Sequence, residues 1–206
     1  MYRCDPKAFA GNILLYKDLN RPDGADIIIL CQIAELPPKK IQEIFKALVK
    51  SFAGFYPPAG PTSTAEARLA QVNFALAPLL LKFSSENKLA CVLIELKENE
   101  LAIATYGGVM AGLIRQGQFL KLASEEKQNK PKPNHAKPVV NFKQGRLDRG
   151  DVLIAALANV FNAISLDQLK KIVSASKGQR AADKILDVVK AGLKPSEPIL
   201  GIIWQA

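Results

Sequence analysis

Gly150-Asp-Val-Leu-Ile-Ala-Ala-Leu-Ala-Asn-Val-Phe-Asn-Ala-Ile-Ser-Leu-Asp-Gln-Leu169 is the stretch on which the fold turns. Asp151–Leu157 is a short, almost uninterrupted apolar run, the pattern of a strand covered on both faces. Ser165 with Gln168 three residues later has the spacing of a capping box: the hydroxyl accepts from one free helical N–H and the longer side chain bonds back. That box opens a helix over Leu166–Ser174 with Leu169, Ile172 and Val173 on its inner side. Gly178 separates it from a further helix at about Arg180–Ala191, and Ile199–Trp204 reads as a last strand.

Upstream the same grammar recurs. Ala10–Leu19 and Ala25–Ile33 read as strands around the turn Arg21-Pro22-Asp23-Gly24. Ile41, Ile44, Phe45, Leu48, Val49 and Phe52 form one apolar stripe, so Lys39–Phe52 is predicted to be a helix. Gly54–Pro61 is rich in breakers, and Ser63 with Glu66 repeats the capping spacing before a helix over Ala65–Lys82. Leu89–Leu96 and Leu101–Tyr106 read as strands joined by Lys97-Glu98-Asn99-Glu100, and Met110–Arg115 as a third strand ending at Gln116-Gly117-Gln118. Residues 125–145 lose apolar periodicity and carry Pro131, Pro133 and Pro138, as a long surface loop would. Paired helices between groups of short-turn strands do not fit a doubly wound parallel sheet. The expected fold is α+β, two antiparallel sheets sandwiched between two pairs of antiparallel helices. The expectation is one domain over residues 1–206, with a basic loop at about 125–145.

Composition narrows the chemistry. The chain has 206 residues, 49% hydrophobic and 23% charged, which is globular composition with ample length for a core. One histidine, His135, excludes any site built on two or three imidazoles and leaves Ser-His-Asp hydrolysis to a residue in a Lys/Pro-rich stretch. Cys4, Cys31 and Cys91 are far apart with no C-x-x-C spacing. Cys31 and Cys91 lie in apolar strands and read as inert core residues, and Cys4 has no evident base to activate it. Free thiols, no run near the roughly 20 apolar residues of a membrane span, and no charged-then-apolar opening in Met1–Pro6 together give the expectation of a cytoplasmic protein without a transmembrane segment. The net charge is +9. Eight basic residues against three acidic ones fall between Lys121 and Arg149, and Lys170, Lys171, Lys177, Arg180, Lys184, Lys190 and Lys194 form a second group. Aromatic residues are not interleaved with them, so a solvated basic face is the simpler reading than a nucleic-acid platform.

Three segments resemble the PPM-type metal-dependent serine/threonine protein phosphatases. Gly150-Asp151 through Ser165 is similar to the family's Gly-Asp strand, Ser/Thr-Asp-Gly turn and Ser-opened helix. Ile103-Ala-Thr-Tyr-Gly-Gly-Val-Met-Ala-Gly-Leu-Ile-Arg-Gln-Gly117 looks like its Ala-Asn-x-Gly-Asp-Ser-Arg hairpin ending in Arg-x-Gly. Lys194–Trp204 is similar to its closing Asp-Asn-hydrophobic-Thr strand. The resemblance implies the layered fold already expected, and two divalent cations held by aspartates at strand ends, activating water against a phosphoester.

The aspartates themselves do not carry over. The Gly-Asp-Ser-Arg position reads Gly107-Gly108-Val109-Met110, and the Ser-Asp-Gly position reads Leu157-Ala158-Asn159. The Asp-Gly after the second strand falls near Leu30–Ala34, with no carboxylate before Glu35. Only Glu197 stands where the final aspartate would be, a residual metal candidate that reads more simply as a solvated loop residue. Arg3 precedes the first strand as a weak counterpart of a phosphate-binding arginine. Asp151 reads as serving the turn, Asn73 as a helix-face hydrogen-bonding residue, and Gly107-Gly108 as a tight hairpin turn rather than a phosphate cradle.

The resulting expectation is a pseudophosphatase: a non-catalytic, PPM-like regulatory module in signalling that binds a protein partner, with no catalytic residues and no cofactor. The alternatives are an active phosphatase with a shifted metal site built from Glu35, Asp26, Asp148 or Glu197, and a basic nucleic-acid-binding protein.

Overall fold

The structure, a computed structural model, describes residues 13–18, 24–34, 36–54, 64–82, 89–123, 141–176, 178–193 and 201–205. In chain order the strands are β1 (Ile13–Asp18), β2 (Ala25–Ile33), β3 (Leu89–Lys97), β4 (Glu100–Tyr106), β5 (Val109–Arg115), β6 (Gln118–Ala123), β7 (Asn141–Arg146), β8 (Val152–Leu157) and β9 (Gly201–Gln205). The helices are α1 (Pro38–Leu48, continued by a π-helical turn over Val49–Ala53), α2 (Thr64–Lys82), α3 (Ala158–Ala163), α4 (Leu166–Ala175) and α5 (Gln179–Gly192). Two antiparallel sheets form, in the orders β1-β2-β3-β4-β7 and β6-β5-β8-β9.

Alternation along the strands builds the layers. Ile27, Ile29, Cys31 and Ile33 of β2 pack with Ile41, Ile44 and Leu48 of α1 and with Leu69, Val72 and Leu76 of α2. The intervening Ile28 and Leu30 join Val92 and Ile94 of β3 and the buried residues of β5 and β8 between the sheets. On the far side Leu169 and Val173 of α4 and Ile185 and Val189 of α5 complete that second cluster. Every residue of β8 is buried, as a strand covered on both faces requires. The capping box is present: Ser165 Oγ accepts from the Gln168 N–H, and Gln168 Oε1 accepts from the Ser165 N–H.

Three elements differ from the sequence expectation. Gln116 and Gly117 both have positive φ, 50° and 73°, and turn the chain back into β6, where a two-residue hairpin needs that geometry. Phe119 of β6 then lies over Gly112, whose missing side chain leaves room for the ring: a Cβ there would fall 2.0 Å from the ring tip. The second difference is β7, which takes the last five residues, 141–145, out of the expected loop and with Arg146 pairs them with β4, from Thr105↔Asn141 to Glu100↔Arg146. The third is α3, a short helix that follows β8 directly. The rest of the expected basic loop, with His135, lies outside the described residues, as does Ser63 of the first expected capping box.

One buried charge pair ties the first helix layer to its sheet. Arg68 of α2 is fully buried and Glu95 of β3 nearly so, with Nε and Oε2 3.2 Å apart. Arg68 Nη1 also donates to the Phe52 carbonyl at 3.1 Å, at the end of the π-helical turn. Removing one partner leaves the other charge buried without its counter-charge. Glu95→Ala is therefore expected to lower unfolding free energy by about 3–5 kcal/mol, and Arg68→Met with Glu95→Leu together to recover most of it. Urea denaturation of the three variants checks both statements.

Candidate functional site

Strand termini of both sheets converge at one end of the sandwich. β2, β4 and β8 finish there, at Ile33, Tyr106 and Leu157; β3, β5 and β9 begin there, at Leu89, Val109 and Gly201. Gly107-Gly108 carries the chain across this end from the five-stranded sheet to the four-stranded one. It is therefore not a hairpin within one sheet, as the sequence suggested. Gly107 has φ 69°, and a Cβ on it would sit 2.2 Å from the Leu89 carbonyl oxygen. No other residue fits there without moving β3.

The crossing meets the end of β8 directly. The Ala158 N–H donates to the Gly108 carbonyl at 2.8 Å. The two positions where the resemblance places metal-binding aspartates are thus neighbours in space, and they carry a hydrogen atom and a methyl group. Hard divalent cations need oxygen ligands, chiefly carboxylates, and these two positions carry no side-chain oxygen. Asn159 is half-buried beside them and has only a neutral amide to offer. Among the described residues no three of His, Cys, Asp and Glu come together as a metal cluster. The described residues at this end do not fit a two-cation centre.

Of the four carboxylates proposed for a shifted site, the two that are described, Asp26 and Asp148, stand at the opposite end of the sandwich. Asp26 stands at the start of β2, opposite Leu96. It is seven residues from Ile33, about 23 Å at about 3.3 Å per residue. Asp148 lies beyond the start of β8, at that same far end, ion-paired to Arg115 at 3.3 Å. Glu35, Glu197, Arg3 and Cys4 lie outside the described residues. Asn73 is half-buried on α2.

Asp151 belongs to the far end too, in an arrangement invisible in the sequence. The guanidinium of Arg115, at the end of β5, bonds both its oxygens through Nε at 3.1 Å and Oδ2 again through Nη2 at 2.6 Å. The Asp148 N–H donates to Oδ2 at 2.7 Å, and Arg115 Nη2 reaches the Arg146 carbonyl at 2.7 Å. One guanidinium thereby joins β5 to the end of β7 and the turn into β8.

With that geometry in hand, likeness to solved structures is decisive for the fold. A serine/threonine phosphatase from S. agalactiae superposes with a TM-score of 0.69 over 100% of this chain and 96% of its own, at 9% identity. The chain has the fold of the PPM-type serine/threonine phosphatases. Stp1 from Staphylococcus aureus matches with a TM-score of 0.69 at 12% identity, over 100% of this chain and 93% of its own. The catalytic domain of PstP in complex with two manganese ions gives 0.63 at 11% identity, over 94% and 90%. Neither a protein-family model nor a curated protein sequence matches the chain. The sequence-stretch resemblance and the layered α+β expectation thus agree with the three-dimensional likeness.

Hydrogen bonds from Arg115, and then the Asp148 amide, hold the Asp151 carboxyl below its ordinary range, against the opposing effect of burial. The folded state therefore binds that proton more weakly than the unfolded chain does. The stabilisation is complete above the unfolded value of about 3.9 and is lost as pH falls through the lower folded value. Asp151→Asn is expected to cost about 2 kcal/mol at neutral pH and to narrow that deficit steadily below about pH 4. Urea midpoints of both chains between neutral and strongly acidic pH measure it.

Proposed function

We propose that this chain is a non-catalytic, PPM-phosphatase-like domain that works as a protein-binding regulatory module. The observation that carries this reading is the contact of Gly108 with Ala158 at the convergence of the strand ends. Two-metal hydrolysis requires ligands from several strand ends to hold cations about 3.5–4 Å apart. Losing carboxylates at both positions removes charge needed to offset repulsion between two dications, which water ligands do not replace. Fold alone does not assign activity, so the reading rests on those side chains rather than on the architecture.

A surface role draws support from α2. Phe74 on its outer side is 81% exposed, and no charged residue occurs from Leu69 to Leu81. A single exposed phenylalanine is ordinary on a surface; what makes this face a candidate contact surface is that no charge flanks it along the helix. No helix among the described residues is long and apolar enough to cross a membrane; a cytoplasmic setting is part of the proposal.

The test is turnover of p-nitrophenyl phosphate and a phosphothreonine peptide in millimolar manganese. The expected result is no turnover above a chelated control. Manganese-dependent hydrolysis abolished by a chelator and by Glu197→Ala would overturn the proposal in favour of a shifted metal site.

A further inference from the structure

Cys31 of β2 and Cys91 of β3 stand directly opposite each other in the antiparallel register. Both are fully buried, both are free thiols, and both belong to the cluster under α1 and α2, so their side chains share one face of the sheet. Opposed residues in an antiparallel pair have Cα atoms about 4.5–5.5 Å apart, inside the roughly 4.4–6.8 Å that a disulfide spans. The proximity is felt electrically: beyond the effect of burial, Cys91 raises the Cys31 thiol further.

From this juxtaposition we propose that Cys31 and Cys91 form a cross-strand disulfide when the chain meets a small-molecule disulfide oxidant such as oxidised glutathione. One cysteine thiolate attacks a sulfur of the oxidant and expels a glutathione thiolate. The other cysteine then attacks the mixed disulfide and expels the second. The two protein thiols lose two electrons, the oxidant gains them, and the two protons end on two glutathione thiols. The product is neutral and apolar, so it suits a layer in which ionised sulfur is penalised: burial pushes the Cys91 thiol up to about 12. The same burial blocks attack from the closed state, so the bond forms while the strands are apart and is then shielded from reductant.

The position gives the bond a consequence. Cys31 is two residues before the end of β2 and Cys91 two after the start of β3. Leu89 and Ala90 are the residues against which the backbone of Gly107 packs. A crosslink there pins the two strands just beneath the crossing between the sheets.

The experiment uses the full chain with Cys4→Ser, leaving two thiols. It is unfolded in urea and refolded into a glutathione redox buffer, so burial in the native state imposes no kinetic block. After blocking of free thiols, intact mass should show the main species lacking two hydrogens and carrying no blocking group. Its thermal midpoint should lie about 10 °C above that of the reduced chain, from closure of a loop of about 60 residues. The further exchange Cys91→Ala should yield a glutathione adduct or a free thiol instead. A chain that refolds with both thiols blockable, at glutathione ratios that oxidise it when unfolded, overturns the proposal.

Discussion

The chain passes from one sheet to the other through Gly107, and the backbone of β3 leaves no space there for a side chain. This crossing sets the stagger of the two sheets, because β4 ends and β5 begins on either side of two residues. It also fixes what lies next to what at the convergent end: Gly108 must meet Ala158, since β5 and β8 are paired from Val109↔Leu157 onward. Backbone geometry thus fixes the shape of the described part of this end. Two apolar clusters, one between the sheets and one under α1 and α2, hold these layers together.

Much of this was legible in the sequence because two periods dominate it. The stripe from Ile41 to Phe52 predicts α1, and the apolar run around Ile27–Cys31 predicts a strand whose observed limits, Ala25–Ile33, are the expected ones. What escaped was held by partners distant in sequence. β7 reads Asn-Phe-Lys-Gln-Gly-Arg, with one large apolar residue, and becomes a strand because β4 offers it an edge. β6 is another edge strand with half its residues exposed. Its signal was the lone Gly117 between the apolar pairs Leu113-Ile114 and Phe119-Leu120, while the positive φ of Gln116 had none.

The charge pairs show a second limit. Arg68 is the one charged residue between Ala67 and Leu81, and Glu95 the one between Leu89 and Leu96. Two lone, opposite charges in otherwise apolar segments are a usable sign of a buried pair, since neither is tolerated there alone. Arg115 and Asp151 gave no such sign, because each sits at a strand end where charge is ordinary. At the convergent end the sequence was informative by subtraction. Gly108 and Ala158 could be named in advance, but that they touch required the topology.

Among the described residues the convergent end holds no cluster of carboxylates for a dication pair, and manganese titration calorimetry probes the consequence. The wild-type chain should give no binding heat at micromolar metal. The chain carrying Gly108→Asp and Ala158→Asp should gain affinity by about tenfold or more, as two added carboxylates at adjoining positions would provide. Micromolar binding of two manganese ions by the wild-type chain, unchanged by the two substitutions, would contradict the account.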